Sequence, residues 1–459
     1  MTVCELKLNT ISAEESYKPS PLRSFNIKGF PTYWFAMMAQ MAGLNMQMVS
    51  RAWLIYELSA SYTVLGAMTV ANALPMLFTS MFGGVLADRF LKKRLMQSGQ
   101  VLLALTSLFV AICLSMDLIN LSTGAGVSYV MMASVFQGTI MGFTMPSRHA
   151  VIPEIVGREN LTNAIALNQS GMNLNRLAAP GVAGLMIALL GITTVYYFMT
   201  ILYVLATIII SFLPITKSLN PNAKQKTPLR DLIDGFKYIF NESVIFYLLL
   251  ATLFSVVLSM PYMGLMPIFA KDIQVVIASD FAWMNSAPII SSFNLPELLT
   301  YSSFRLGCLM SISGIGALIG SLIVTVLSDT NRGRIFIYSV FALGVTLTIF
   351  SFTRSFIIGC ITMMFVGFFQ SLRLSLSNAL VQSYVSDEFR GRVMSVYMME
   401  FGMTSFSTFL VASMAGIIDT SNVFDPGFGI QLTMGVAAIL LIPSAIVFCF
   451  GKRSLLNLG

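Results

Sequence analysis

Apolar runs of about 20 residues recur along the whole chain, separated mostly by short polar links. Each is long enough to cross about 30 Å of hydrocarbon as a helix. Barrel strands need only about 10 residues and alternate apolar with polar positions. The run length therefore selects helices, which satisfy their own backbone hydrogen bonds in lipid. The pattern predicts twelve spans: 31–58, 62–86, 95–116, 127–146, 162–190, 193–213, 244–270, 304–327, 335–353, 356–383, 393–417 and 428–450.

The polar connections divide the chain. Residues 1–30 read as a cytoplasmic tail, 31–213 as a first six-helix bundle, 214–243 as a linker, 244–450 as a second bundle and 451–459 as a tail. The linker holds Pro214, Pro221 and Pro228. After them Leu229, Leu232, Ile233, Phe236, Ile239 and Phe240 recur at helical spacing, with Arg230, Asp231, Asp234 and Lys237 opposite. This predicts an amphipathic helix on the membrane surface. The other long connection, the outer loop 271–303, is a tolerated insertion, an outer gate or a docking surface for a periplasmic partner.

Composition agrees: 56% of residues are hydrophobic, 10% are charged, and mean hydropathy is +0.80. Soluble domains carry about 25% charged residues. The net charge of +7 does not point to nucleic acid, because 21 of the 27 Lys and Arg fall on one side of the membrane. Lys271, Arg305 and Arg354 lie near the other side, and Arg51, Arg176 and Arg373 lie within spans. This positive-inside bias puts both termini in the cytoplasm. The first 29 residues, with Glu5, Glu14 and Glu15, lack the basic-then-apolar pattern of a cleaved signal.

Little in the chain suggests an enzyme. The five cysteines are scattered, and His149 is the single histidine, placed in an inner loop. No disulfide framework, metal site or cofactor is expected. No Gly-x-x-x-x-Gly-Lys-Ser/Thr phosphate loop exists. The two halves echo each other: Asp329 with Arg332 and Arg334 falls after the second span of half two, where Asp88 and its bases fall in half one. Val156-Gly157-Arg158-Glu159 and Val385-Ser386-Asp387-Glu388 both follow a fourth span. A repeated six-span unit is a transporter signature.

Gly84-x-x-x-Asp88-Arg89-x-x-Lys92-Lys93 resembles the loop 2–3 motif of the major facilitator superfamily, with Leu91 at a position that usually holds glycine. Further segments resemble the branch containing the enterobactin exporter and macrolide-efflux proteins. They are Met48 to Ser59, Pro146 to Glu154, Asn163 to Asn168 with Asn175-Arg176, and Phe389-Arg390-Gly391-Arg392-Val393-Met394-Ser395. The resemblance runs from about residue 30 to 450. It implies an all-α membrane protein of twelve transmembrane helices in two six-helix bundles, with alternating access and protons as coupling ion. The setting it implies is the plasma (inner) membrane of a bacterium. Arg373 and Glu400 stand where neutral residues are expected, and Ser405 and Ser407 replace the usual Pro and Gly of span 11.

The candidate residues fall into groups. Gly84, Asp88, Arg89, Asp329, Arg390 and Arg392 form a candidate conformational gate; the alternative is bases that only set topology. Arg51, Arg176, Arg373, Glu57 and Glu400 are coupling candidates, since a charge in a span costs about 3 kcal/mol on insertion scales. Arg51 and Glu57 lie about 240° apart around a helix and do not pair. Arg373 and Glu400 fall at similar depth and are expected to face each other, as a coupling site or a static buried pair. Gln40, Asn45, Asn168, Gln169, Asn173, Gln370 and Asn378 are cavity candidates; their alternative is bonding between helices. Pro180, Gly181 and Gly184 in span 5, and Gly316 and Gly320 in span 8, are expected at helix contacts, as are Gly138 and Gly142. The 31 methionines are core filler or an adaptable binding wall.

The expected function is proton-coupled export of a small amphipathic molecule, a drug or a siderophore. Alternatives are a siderophore or nutrient importer of the same fold, or a non-transporting membrane receptor or assembly protein. The expected partners are the lipid bilayer and the small-molecule substrate.

Overall fold

A computed structural model describes residues 22–214, 236–274, 295–326, 331–386, 389–420 and 427–451. Most of the linker helix, the loop 275–294 and Asp329 lie outside them, as do the side chains of Gly84, Asp88, Arg89, His149 and Arg390.

The described chain is almost wholly helical. The first half comprises α1 (Phe30–Ser59), α2 (Tyr62–Arg89), α3 (Lys92–Ser115), α4 (Val127–Leu190) and α5 (Ile192–Ser211). The second comprises α6 (Ser243–Ser259), α7 (Pro261–Ile268), α8 (Ser302–Val326), α9 (Arg332–Phe352), α10 (Phe356–Tyr384), α11 (Arg390–Thr420) and α12 (Phe428–Gly451).

One predicted boundary dissolves and one predicted span is divided. Spans four and five are one helical stretch, α4, broken at Gly157, whose φ of 71° suits a residue without Cβ. The expected loop around His149 is therefore helical. Val151, Ile152 and Val156 explain why: they bury against Phe30, Tyr33 and Met37 at the inner end of α1. The seventh crossing is instead divided. Pro261 stands where α6 gives way to α7, Pro267 lies within α7, and α7 runs into a π turn at Phe269–Ile273. Proline removes a helical donor, and π turns gather at functional sites.

Eleven stretches among the described residues are long and apolar enough to cross a membrane. α1 is not one of them, although it has thirty residues. Gln40, Asn45, Gln47, Ser50 and Arg51 hold down its hydropathy, and it is sheltered by α4 and α5. With α1 the crossings come to twelve. Large apolar side chains such as Phe78, Phe82, Leu189, Ile201 and Ile417 are exposed around the outside, as lipid requires.

Between helices in lipid there is no hydrophobic drive, so close approach of small residues supplies the contact. α8 meets α10 at Gly316 and Gly320, where an added Cβ would lie 1.8 Å from the Met364 carbonyl oxygen and 2.4 Å from that of Phe368. α2 meets α4 at Gly138, with 2.0 Å to the Asn72 carbonyl oxygen. The halves meet along α4 and α8, where a Cβ on Gly184 would lie 2.4 Å from the Ser303 carbonyl oxygen. Gly181 faces Ser311, and a Cβ on Gly307 would reach the Pro180 carbonyl at 2.8 Å. α2 and α11 form the second seam, through Gly66 against Phe409.

Gly316→Val should force α8 and α10 apart and cost about 1–3 kcal/mol. A lowered melting temperature of the purified protein in detergent would register it. Gly416→Ala, where a Cβ meets only the Thr63 hydroxyl at 3.3 Å, should melt near the wild type.

Candidate functional site

The outer ends of the two halves are joined by polar contacts that start from α1. Tyr56 donates its hydroxyl to Asp272 Oδ2. One position on, Glu57 Oε2 accepts from Lys271 Nζ at 2.6 Å. The same ammonium sits 5.5 Å from the centre of the Tyr56 ring. Trp53 Nε1 donates to Ser302 Oγ at 3.2 Å, and Ser302 Oγ reaches Glu57 Oε1 at 3.5 Å. The π turn carries both Lys271 and Asp272, which meet Glu57 and Tyr56 of α1.

Neighbouring groups extend this closure. Tyr62 stacks on Tyr56 with ring centres 6.0 Å apart and reaches Asp419. Asp419 accepts from the Gly429 backbone N–H at 2.6 Å, capping α12. Arg305 Nη1 donates to the Gln274 carbonyl at 2.7 Å, fixing the end of the π turn. Glu57 thus stands at the outer interface and does not pair with Arg51.

Beneath the closure is a cavity of about 220 Å³ between the halves. α1 and α2 contribute Met48, Arg51, Met68, Thr69 and Asn72. The opposite wall is Met260, Met263 and Gly264 of the seventh crossing, Met310 of α8, and Thr404, Ser405 and Thr408 of α11. Arg51 is buried, and its Nη1 donates to Gln137 Oε1 on α4. Its Nε meets no partner among the described residues.

Deeper charges lie on both halves. Arg373 is fully buried; its Nη1 donates to Ser255 Oγ at 2.7 Å, while Nε and Nη2 meet no partner among the described residues. Glu400 is buried within electrostatic reach of that guanidinium, with Tyr397 beside both. No ion pair joins Arg373 and Glu400 among the described residues. Arg176 and Arg373, from opposite halves, both act on Tyr262. Arg148, expected at the inner surface, is buried in α4 with its Nη2 3.3 Å from Met141 Sδ.

The predicted amides divide. Gln40 accepts from Gln100 of α3 at 3.4 Å, and Gln370 donates to Met260 Sδ at 3.0 Å, so both bridge helices. Asn45 bonds the Met41 carbonyl one turn back. Gln169 donates to Asn173 at 3.5 Å, and Asn378 accepts from Gln382 along α10. Asn168 is half-buried, its Nδ2 3.8 Å from Met172 Sδ. At the inner end, Arg392 lies 5.1 Å from the Phe389 ring centre, and Tyr238 of the linker stacks on that ring at 4.3 Å. Lys92 pairs with Glu154, and Lys93 donates to the Ser211 and Leu213 carbonyls at 2.7 and 2.6 Å. These bases hold the inner ends of α3, α4 and α5 together.

The sequence offers a methionine wall as one alternative without singling out its members, and does not point to Tyr262 or the Tyr56–Asp272 contact. The adjacent Lys271-Asp272 pair at the end of a proline-broken span was the available signal.

A family model described as "Transmembrane secretion effector" matches residues 19–288, and the Major Facilitator Superfamily model matches residues 274–454. The chain is 23% identical over 406 residues to the staphyloferrin A transporter of Staphylococcus aureus, spanning 88% of this chain and 91% of that protein. It is 23% identical over 323 residues to the enterobactin exporter EntS of Escherichia coli, spanning 68% and 67%. The solved structure of the peptide transporter POT in complex with sulfate superposes with a TM-score of 0.68 at 14% identity, covering 94% of this chain and 96% of that one. That likeness establishes the fold.

Because the Glu57–Lys271 pair is partly exposed, it contributes about 1 kcal/mol or less, and closure should need it together with Tyr56–Asp272. Spin labels at Thr123 and Thr300 should show a single short distance in the wild type. The double variant Tyr56→Phe, Lys271→Met should add a longer population by electron–electron resonance. An unchanged distribution would remove these contacts from the closure.

Proposed function

The chain belongs to the major facilitator superfamily, and from that premise we propose that it exports a small amphipathic molecule, a drug or a siderophore, in exchange for protons. It is a membrane transporter of the bacterial inner membrane; direction, coupling and substrate are the proposal.

Glu400 carries the coupling half of this reading. It is the carboxylate among the described residues that is buried well away from the helix ends, and a guanidinium from α10 lies within its electrostatic reach. Charges at such depth are costly and mark ion pathways. Protonation would switch Glu400 from attracting Arg373 to being neutral beside it. A change of that kind biases two arrangements of the bundles when the pair's separation differs between them. The outer closure supports alternating access, since its partners are divided between the halves and can part without unfolding either.

The export direction rests on relatives: the enterobactin exporter carries it in its name. The sequence resemblance to macrolide-efflux proteins points the same way.

Everted membrane vesicles carrying the protein should accumulate at least one of ethidium, dansylcadaverine and dansylglycine when a proton gradient is imposed. Glu400→Gln should lower gradient-driven accumulation at least about tenfold, the scale of 1.4 kcal/mol, while exchange without a gradient persists. Undiminished accumulation in that variant would end the coupling role.

A further inference from the structure

Resting on the transporter reading above, we infer that the substrate is an organic anion, an amphipathic molecule with an acidic head, and that the arginines at the bundle interface receive that head. The observation is a charge imbalance. Four guanidinium groups, Arg51, Arg148, Arg176 and Arg373, lie inside the helices away from their ends. Against them, the described residues set one carboxylate at comparable depth, Glu400. Four acids nearer the helix ends are already engaged: Glu57 with Lys271, Asp272 with Tyr56, Asp419 with the α12 backbone, and Glu154 with Lys92.

The hydrogen-bond inventory of the arginines agrees. Arg51 is more than nine-tenths buried, lines the 220 Å³ cavity, and has one bond, to an uncharged glutamine. Its Nε is unpartnered among the described residues, as are Nε and Nη2 of Arg373, whose bond goes to a serine hydroxyl. Arg148 has a thioether as its acceptor. Neutral acceptors and thioethers leave a buried guanidinium short of charge compensation. An oxyanion supplies it, and the planar fork of arginine matches a carboxylate in two parallel bonds. These groups are spaced along the crossing. Measured down their own helices from the outer ends, Arg51 lies about 12 Å in, Arg176 about 21 Å and Arg373 about 26 Å, at 1.5 Å per residue. Arg51 and Arg176 belong to the first half and Arg373 to the second, and Arg176 and Arg373 both act on Tyr262, so positive charge meets the interface from both halves.

The rest of the wall suits the body of such a molecule. Met48, Met68, Met260, Met263 and Met310 surround the cavity, and flexible thioethers adapt to varied apolar shapes. At 220 Å³ the cavity is smaller than the roughly 300–1,000 Å³ of drug-sized sites. In this closed-outside arrangement it seats one end of a ligand.

Two dyes with one apolar body and opposite charge decide the matter: dansylglycine, a carboxylate, and dansylcadaverine, an amine. Binding to the purified protein in detergent is followed by dansyl fluorescence. Dansylglycine should bind at least tenfold tighter. Arg51→Gln and Arg176→Gln should each weaken dansylglycine severalfold and leave dansylcadaverine unweakened. Glu400→Gln, which removes the opposing charge, should tighten dansylglycine, a gain that misfolding cannot imitate. Equal or cation-favouring affinities in the wild type, no saturable dansylglycine binding, or a preference unchanged in both arginine variants would overturn the inference. Gradient-driven movement of dansylcadaverine without dansylglycine binding would sink the anion and leave the exporter standing. Dansylglycine binding without gradient-linked movement of any dye would do the reverse.

Discussion

A guanidinium cannot face hydrocarbon, and the arrangement of this protein follows from where that rule allows its arginines to sit. Each arginine within a span costs about 3 kcal/mol on insertion scales. Arg51 and Arg373 are buried and bonded to Gln137 and Ser255, and Arg176 lies within electrostatic reach of Tyr262. Helices that carry such groups must have polar neighbours, so α1, α4, α10 and α11 line the bundle interior while α9 and α12 can remain nearly apolar. α1 shows the consequence most directly. It is too polar to rank as a span by hydropathy, yet it crosses the bundle because α4 and α5 shelter it.

That interior remains a seam between two bodies because small residues keep it thin. Along α4 and α8, and along α2 and α11, glycine brings backbones into contact without interlocking side chains. Van der Waals contact of this kind can slide or part, whereas knobs seated in holes would have to be withdrawn. The polar closure at the outer rim then adds direction to the seam. Its pairs are nearly neutral overall, formed between groups at helix ends where water can receive them when they separate.

Span number and the small-residue contacts were legible because run length and glycine spacing are local properties of a helix. So was the outer position of Glu57, which follows from its place near the end of α1. The methionine wall was not legible: thirty-one methionines look alike in sequence, and only the meeting of α1, α2, α7 and α8 selects five of them. The stretch around His149 reads in sequence as an inner loop. Burial of Val151, Ile152 and Val156 against α1 outweighs that local preference and carries the helix on to Gly157. Gln40 and Gln370 showed the same ambiguity from the other side. A polar amide in a span has two solutions, and whether a glutamine faces it from the next helix is a tertiary fact.

The contrast between the rim and the centre gives each its role. At the outer rim Glu57, Asp272 and Asp419 have a cation, a hydroxyl and backbone N–H groups respectively within bonding distance, so these contacts satisfy themselves and act as a fastening. In the centre, among the described residues, the guanidinium groups outnumber the one carboxylate, and their bonds go to neutral atoms. A self-satisfied network has nothing to gain from a ligand, whereas an uncompensated one gains most from the ligand that neutralises it. The uncompensated charge is divided between the two halves, so compensation there acts on both bodies at once. That is the condition for a bound molecule to change how they sit against each other.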